Sequence, residues 1–88
     1  MKEKMKVFVL MYHGAYDGEV SSSVMVFDSL DKAQKRMRTE YEESVGYIKE
    51  NFGEEARYEW TDMSCCTYQE GYFCHNHDEW NISEVDVL

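Results

Sequence analysis

The sequence predicts an α+β domain in which one long helix packs on one face of an antiparallel sheet, in the order ββ-α-βββ. Two stretches rich in β-branched and aromatic residues, 7–12 and 20–27, precede a long segment with helical periodicity. After that segment, apolar and polar residues alternate at 57–61, 80–82 and 85–87, as they do in half-buried strands. The 88 residues include no proline and no low-complexity linker, so we expect a single domain spanning 1–88.

The first two strands are expected to form an antiparallel hairpin. The apolar run 7–12 has the length of one strand and is too short for a signal-peptide core or a membrane span. Residues 13–18 contain two glycines and an Asp-Gly pair, which is typical of a turn. The second strand follows at 20–27, with its most apolar end at 24–27.

Residues 28–53 predict one amphipathic helix. Asp28 occupies the N-cap position, Asp31 follows three residues later, and Gly53 comes where a left-handed C-terminal cap favours glycine. Apolar side chains recur at three- and four-residue steps, namely Leu30, Ala33, Met37, Tyr41, Val45, Ile48 and Phe52. We expect this stripe to be buried against Val7, Val9, Val24, Val26, Trp60 and Ile82.

Both faces of the first hairpin are apolar. If its valines face the helix, a second set of large side chains points away from it, namely Phe8, Leu10, Tyr12, Met25 and Phe27. That second face needs cover, which either the last strands or a second copy of the chain could provide. We favour a homodimer, formed through this face or through an edge strand.

Charge is distributed unevenly along the chain. The net charge is −9, with +2 in residues 1–38 and −11 in residues 39–88, and no Lys or Arg follows Arg57. The last 31 residues also hold six aromatic side chains, which predicts a folded segment rather than a disordered acidic tail. We expect their seven carboxylates to form an acidic partner-binding face: Glu59, Asp62, Glu70, Asp78, Glu79, Glu84 and Asp86.

An acidic surface repels phosphate backbones, so we expect no direct binding to DNA or RNA. The same charge steers association toward a basic protein surface, although acidic groups also serve solubility alone. No glycine-rich nucleotide-binding run occurs, and the carboxylates are too numerous to single out a general acid–base pair. We therefore expect a non-enzymatic protein-binding module without a cofactor.

An alternative function rests on cysteine and histidine residues. A hairpin turn at 69–71 would place Cys66 opposite Cys74 and Cys65 opposite His75, with Cys65, His75 and His77 on one face. Those three side chains fall one short of the four ligands of a structural zinc site, and the familiar pair of Cys-x-x-Cys knuckles is absent. A small zinc-binding or thiol redox domain using Cys65, Cys74, His75 and His77 remains the alternative, although we expect no metal. As a nucleophile beside His75, Cys65 would lack a third, orienting group.

Three cysteines, an odd number, are typical of free thiols in a reducing compartment. Because no targeting segment or membrane span is visible, we expect the protein to be cytoplasmic.

The sequence KVFVL at 6–10, VMVFDSLDKA at 24–33 and ISEVDV at 82–87 resembles small uncharacterised proteins of phages and mobile elements. In that group a hairpin ending V-F-x-S is followed by x-x-K-A at the start of a helix. The resemblance implies an accessory phage or prophage protein, a class that includes anti-defence inhibitors such as anti-CRISPR proteins. It transfers no catalytic residue. Together with the charge, it suggests an inhibitor that occupies the basic nucleic-acid-binding surface of a partner such as a nuclease.

Overall fold

A computed structural model describes residues 5–16, 19–51, 56–70 and 75–87. One helix packs on one face of a five-stranded antiparallel sheet, which confirms the predicted class and the order ββ-α-βββ. The elements are β1 (Met5–Tyr16), β2 (Glu19–Phe27), α1 (Leu30–Asn51), β3 (Ala56–Trp60), β4 (Ser64–Glu70) and β5 (His75–Val87). The spatial order of the strands is β2-β1-β5-β4-β3, so β2 and β3 form the edges.

The two longest strands, β1 and β5, pair at the centre of the sheet. Their register is continuous from Met5 opposite Val87 to Tyr16 opposite Asn76. The apolar residues of β5 change from one face of the strand to the other after Ile82. Ile82 is buried under the helix, whereas Val85 lies on the opposite face and is 42% exposed. Such a change can indicate a β-bulge, but the register with β1 is continuous through Ser83, so no bulge occurs there.

The helix begins one residue later than its predicted cap. Ser29 is the N-cap, since its Oγ accepts a hydrogen bond from the backbone N–H of Lys32 at 3.2 Å. Asp28 instead forms an ion pair with Lys32 at 2.9 Å. That pair, mainly through its hydrogen bond, lowers the pKa of Asp28. The predicted C-terminal residues of the helix, Phe52 and Gly53, lie outside the described residues.

The helix stripe was predicted well. Ala33, Met37 and Ile48 are fully buried, and Leu30, Tyr41 and Val45 are half-buried. The position that the periodicity did not predict is Ser44, which is 8% exposed although it is polar. Polar groups of the sheet, described below, explain why a serine occupies this site.

The first hairpin packs on α1 with the face opposite to the one predicted, whereas Trp60 and Ile82 lie under the helix as predicted. The core contains Leu10, Trp80 and Ile82 from the sheet, with half-buried side chains packed against it: Phe8, Tyr12, Met25, Phe27, Leu30, Tyr41 and Trp60. The valines of the first hairpin point away from the helix, and Val24 and Val26 are 62% and 61% exposed. Burying the larger set under the single helix removes more apolar area from water, which accounts for the choice of face.

Candidate functional site

Part of the helix–sheet interface is polar rather than apolar. We call five buried residues the polar layer: Ser44, Thr67, Gln69, Asn76 and Asp78. The hydroxyl of Ser44 donates to Asp78 Oδ2 at 2.6 Å and lies 2.8 Å from Thr67 Oγ1. Asn76 Nδ2 donates to Gln69 Oε1 at 3.1 Å. Every buried side-chain nitrogen and oxygen in the described part of the chain has a hydrogen-bond partner, as stable burial of polar groups requires.

Tyr12 extends the polar layer onto β1. Its hydroxyl donates to Asp78 Oδ1 at 2.5 Å. Burial raises the pKa of Tyr12 to about 12, and the hydrogen bond to Asp78 adds to the effect, so Tyr12 is a protonated donor at neutral pH. Gly14 allows this contact, because a β-carbon there would overlap the Tyr12 hydroxyl and lie 2.7 Å from Asp78 Oδ1.

Two glycine substitutions should therefore have opposite effects on stability. Gly14→Ala should lower the free energy of unfolding by about 2 kcal/mol, since the new methyl group displaces Tyr12 from the carboxylate that it contacts. Gly46→Ala, inside α1 where a new β-carbon would meet nothing within 4 Å, should raise it by up to ~1 kcal/mol. Urea unfolding of both variants measures these two changes in the free energy of unfolding. Equal effects of the same sign would contradict the packing described for Gly14.

A groove of about 470 Å³ between α1 and the β1–β2 hairpin opens over one side of the polar layer. Several of its polar groups are bonded to one another: Arg36 Nε lies 2.5 Å from Glu40 Oε2, and Trp80 Nε1 donates to Glu40 Oε1 at 3.0 Å. Asp78 accepts from the hydroxyl groups of Tyr12 and Ser44. Within the described residues this arrangement satisfies the hydrogen-bonding groups that the helix buries, so a structural role explains the polar layer.

The predicted register of the β4–β5 hairpin is wrong. Cys65 lies opposite Trp80, Cys66 opposite Glu79 and Glu70 opposite His75, because β4 continues through Glu70 and the chain reverses only after it. Cys65 is buried on the helix side, and alternation along the paired strands places His77 on the opposite side. The predicted zinc or thiol cluster of Cys65, His75 and His77 therefore does not form. Cys74 and the side chain of His75 lie outside the described residues.

The two described thiols are held in their neutral form. Burial, with smaller contributions from Cys66 and Glu40, raises the pKa of Cys65 to about 12. Burial also raises the pKa of Cys66, whose thiol donates to Glu59 Oε2 at 3.4 Å. Metal binding and nucleophilic attack both need a thiolate, which these surroundings oppose. No group of three His, Cys, Asp or Glu residues that could hold a metal ion occurs within the described ranges.

Asp78 was predicted to belong to an exposed acidic face, and that assignment is wrong. Its side chain is in the polar layer and only 2% of the residue is exposed. Strand alternation explains the difference, because Asp78 shares the helix side of β5 with Asn76 and Trp80.

The other six predicted carboxylates occupy several places. Glu59 and Glu79 lie on the sheet face opposite α1, which we call the outer face, on either side of Cys66. By register, Glu84 and Asp86 lie on the helix side of β5 near its end, with Glu84 Oε1 3.5 Å from Lys6 Nζ. Asp62 is exposed in the β3–β4 connection. The side chain of Glu70 lies outside the described residues.

The outer face is polar on its β3–β4 side. The Arg57 guanidinium carbon lies 5.2 Å from the centre of the Tyr68 ring, and that ring is 6.1 Å from the ring of His77. His77 Nε2 is 3.8 Å from Glu79 Oε1, which is beyond hydrogen-bonding distance. These contacts form a mixed polar surface with both signs of charge.

The other side of the outer face is apolar. We call it the valine patch, formed by Met5, Val7, Val9, Met11, Val24, Val26, Val85 and Val87. The register makes it contiguous, since Val9 lies opposite Val26 on one side and Val7 lies opposite Val85 on the other. In the described residues nothing covers this patch, and its members include most of the exposed large apolar side chains.

Neither the polar layer nor the valine patch was predicted as such. The available signal for the polar layer was parity: Asn76 and Asp78 are separated by even numbers of residues from Trp80 and Ile82, so all four lie on the inward face of β5. The valine patch was visible as an apolar face in need of cover, but it was assigned to the wrong parity.

In comparisons with known proteins, no family model, curated protein or solved structure matches the chain. Among the described residues, no helix is both long and apolar enough to cross a membrane.

Proposed function

We propose that this chain is a non-enzymatic, cytoplasmic protein-binding module that binds a basic surface of its partner. The observation that supports this most is the pairing of its charges. Every described Lys and Arg is engaged within the chain, whereas many exposed carboxylates are not paired with a Lys or Arg. A surface of that kind attracts an external cationic group over distances of about 10 Å at moderate salt.

The cations are matched by nearby acids or rings. Four ion pairs run along α1, namely Asp28–Lys32, Asp31–Lys35, Arg36–Glu40 and Arg38–Glu42. Lys6 pairs with Glu84, while Lys49 and Arg57 lie over the rings of Tyr58 and Tyr68. By contrast, seven exposed carboxylates have no Lys or Arg partner within the described ranges: Glu19, Glu43, Glu50, Glu59, Asp62, Glu79 and Asp86.

Two of these carboxylates flank an exposed aromatic ring on the helix. Glu43, Tyr47 and Glu50 are spaced four and three residues apart, so they lie along one face of α1, and we call them the acidic stripe. Tyr47 is 50% exposed, and space beside it is open because Gly46 has no side chain. An exposed tyrosine among carboxylates suits an interface, since tyrosine is frequent among the residues that dominate binding energy.

The partner best suited to this surface is a protein with a basic groove that normally binds nucleic acid. Carboxylates arranged along an element can take the place of phosphates in such a groove, while the net charge of −9 repels nucleic acid itself. The resemblance to phage accessory proteins agrees with this role, because inhibitors of nucleic-acid-binding defence proteins belong to that group. The partner would be a nuclease or a related protein.

Charge reversal on the acidic stripe tests the proposal. Tagged chains carrying Glu43→Lys with Glu50→Lys should lose at least about tenfold in affinity for the captured partner, because repulsion replaces attraction at the contact. Wild-type binding should weaken steeply as salt rises, and nucleic acid should compete with it.

The matched control carries Glu84→Lys with Asp86→Lys, which makes the same change in net charge at the end of β5. Binding by this control should fall less than binding by the stripe variant. Salt-insensitive binding, or a captured partner that is neither basic nor competed by nucleic acid, would contradict the proposal.

A further inference from the structure

The valine patch contains no charged side chain. Lys6, Glu84 and Asp86 belong to the same strands, but alternation directs them to the helix side. One carboxylate, Glu79, borders the patch, because it lines a cavity with Met11 and Val24. Antiparallel sheets covered on one side by a helix normally present a polar second face to water, so eight apolar residues here need an explanation.

The exposed area of the chain is large for its mass. The chain of 10.5 kDa exposes 6451 Å². Compact monomers of this mass expose ~5,400 Å², so the excess is on the order of 1,000 Å². A standard protein–protein interface removes about 800 Å² from each partner, which is close to that excess.

We propose that the valine patch is the interface of a symmetric homodimer, in which two copies pack their outer faces together as a β-sandwich. A pleated surface of valine and methionine side chains can pack against a second surface of the same kind. Two such sheets pack about 10 Å apart with their strands rotated by about 30°. A second copy of the chain covers the patches of both copies at once, because a two-fold interface is formed by the same patch from each chain.

The charges of the outer face fit this arrangement. The patch is centred on β1, between β2 and β5, whereas Glu59 lies on β3. Glu79 lies on β5 opposite His13, at the edge of the patch. A two-fold rotation about an axis parallel to β1 places β2 of one copy over β5 of the other. The β3–β4 side of each copy then extends past its partner into water, so Glu59 stays outside the contact and Glu79 lies at its edge.

Self-association through the patch is independent of the acidic stripe, which lies on the helix, on the other side of the sheet. Molar mass from light scattering tests it on the full chain. The wild type should have a mass of about 21 kDa, twice 10.5 kDa, at tens of micromolar. Val26→Lys and Val85→Lys should each return the mass to 10.5 kDa, because an unpaired buried ammonium weakens the dimer at least about 100-fold.

Val20→Lys is the matched control, since Val20 is 65% exposed on β2 but lies opposite Ala15, beyond the patch, and this variant should stay dimeric. Circular dichroism checks that each variant keeps its fold, and Val24→Lys replaces any variant that does not. A wild type of 10.5 kDa at every concentration would overturn the proposal. So would a dimeric Val85→Lys beside a monomeric Val26→Lys, which would indicate pairing through the β2 edge instead.

Discussion

Met37→Asp should unfold the domain. Met37 is 0% exposed and belongs to the core formed by Leu10, Trp80 and Ile82. An unpaired carboxylate in that position costs several kcal/mol, against a total stability of ~5–10 kcal/mol for a domain of this size. Circular dichroism at 25 °C should therefore lose both helical signal and cooperative melting.

Thr39→Asp provides the control for Met37→Asp. Thr39 lies two residues further along the same helix and is exposed, so its substitution by Asp should change stability by less than about 1 kcal/mol. A soluble Met37→Asp protein with a cooperative transition near that of the control would mean that a different face of α1 packs on the sheet.

The second large effect is expected from the polar layer. Asp78→Ala removes the acceptor of the Tyr12 and Ser44 hydroxyl groups and leaves a cavity beside Thr67. Hydrogen bonds to a buried carboxylate are stronger than neutral ones, and their donors would be left unsatisfied. We expect the free energy of unfolding at neutral pH to fall by about 3 kcal/mol. The double variant with Tyr12→Phe should lose less than the sum of the two single variants, because both act on one network.

Alkaline pH gives an independent measure of the same contact. The pKa of Tyr12 is raised from 10.0 to about 12 in the folded state, so the folded protein holds this proton where the unfolded chain releases it. The resulting stabilisation is complete below pH 10 and is lost as pH rises through about 12. An absorbance titration that follows tyrosinate formation should show, in Tyr12→Phe, one fewer tyrosine with a pKa of about 12 than in the wild type. Loss of a tyrosine that titrates near pH 10.0 instead would contradict the burial and hydrogen bonding of Tyr12.

Much of the fold follows from local patterns in the sequence. The helix stripe through Ala33, Met37 and Ile48 repeats with helical spacing, and no other structure would bury all three. The strands were recognised from β-branched runs and alternation. Their assembly into one antiparallel sheet follows from the order of elements.

The face of the first hairpin could not be assigned from pattern alone. Leu10 and Val9 are neighbours and both apolar, so either face of β1 could contribute to a hydrophobic core. The two faces differ only in the sizes of their side chains. Similarly, the cysteine and histidine cluster depended on where one hairpin turns. A shift of its register moved Cys65 from a position opposite His75 to one opposite Trp80, and this separated the predicted ligands.

The fate of Asp78 has a related cause. A carboxylate is predicted to be exposed unless a partner is identified nearby, and two partners of Asp78, Tyr12 and Ser44, are 66 and 34 residues away. Only the assembled sheet and helix bring these hydroxyl groups to one point. The same long-range assembly determines which carboxylates remain unpaired at the surface.

The two proposals are compatible in space. A dimer joined through its outer faces leaves both helices on the outside, so each acidic stripe remains open to a basic partner. Two stripes on one particle would also raise the apparent affinity for a partner with repeated sites, by increasing the effective concentration of the second stripe.

In the proposed homodimer the valine patch, and not the helix, is the surface through which the two copies meet. Isotope-filtered nuclear Overhauser spectroscopy tests it on a mixture of chains with ¹³C-labelled valine methyl groups and unlabelled chains. Intermolecular contacts are expected at Val9, Val24, Val26 and Val85, with none at Val20 or Val45. Intermolecular contacts confined to helix residues, or none at concentrations where the mass is doubled, would contradict the claim.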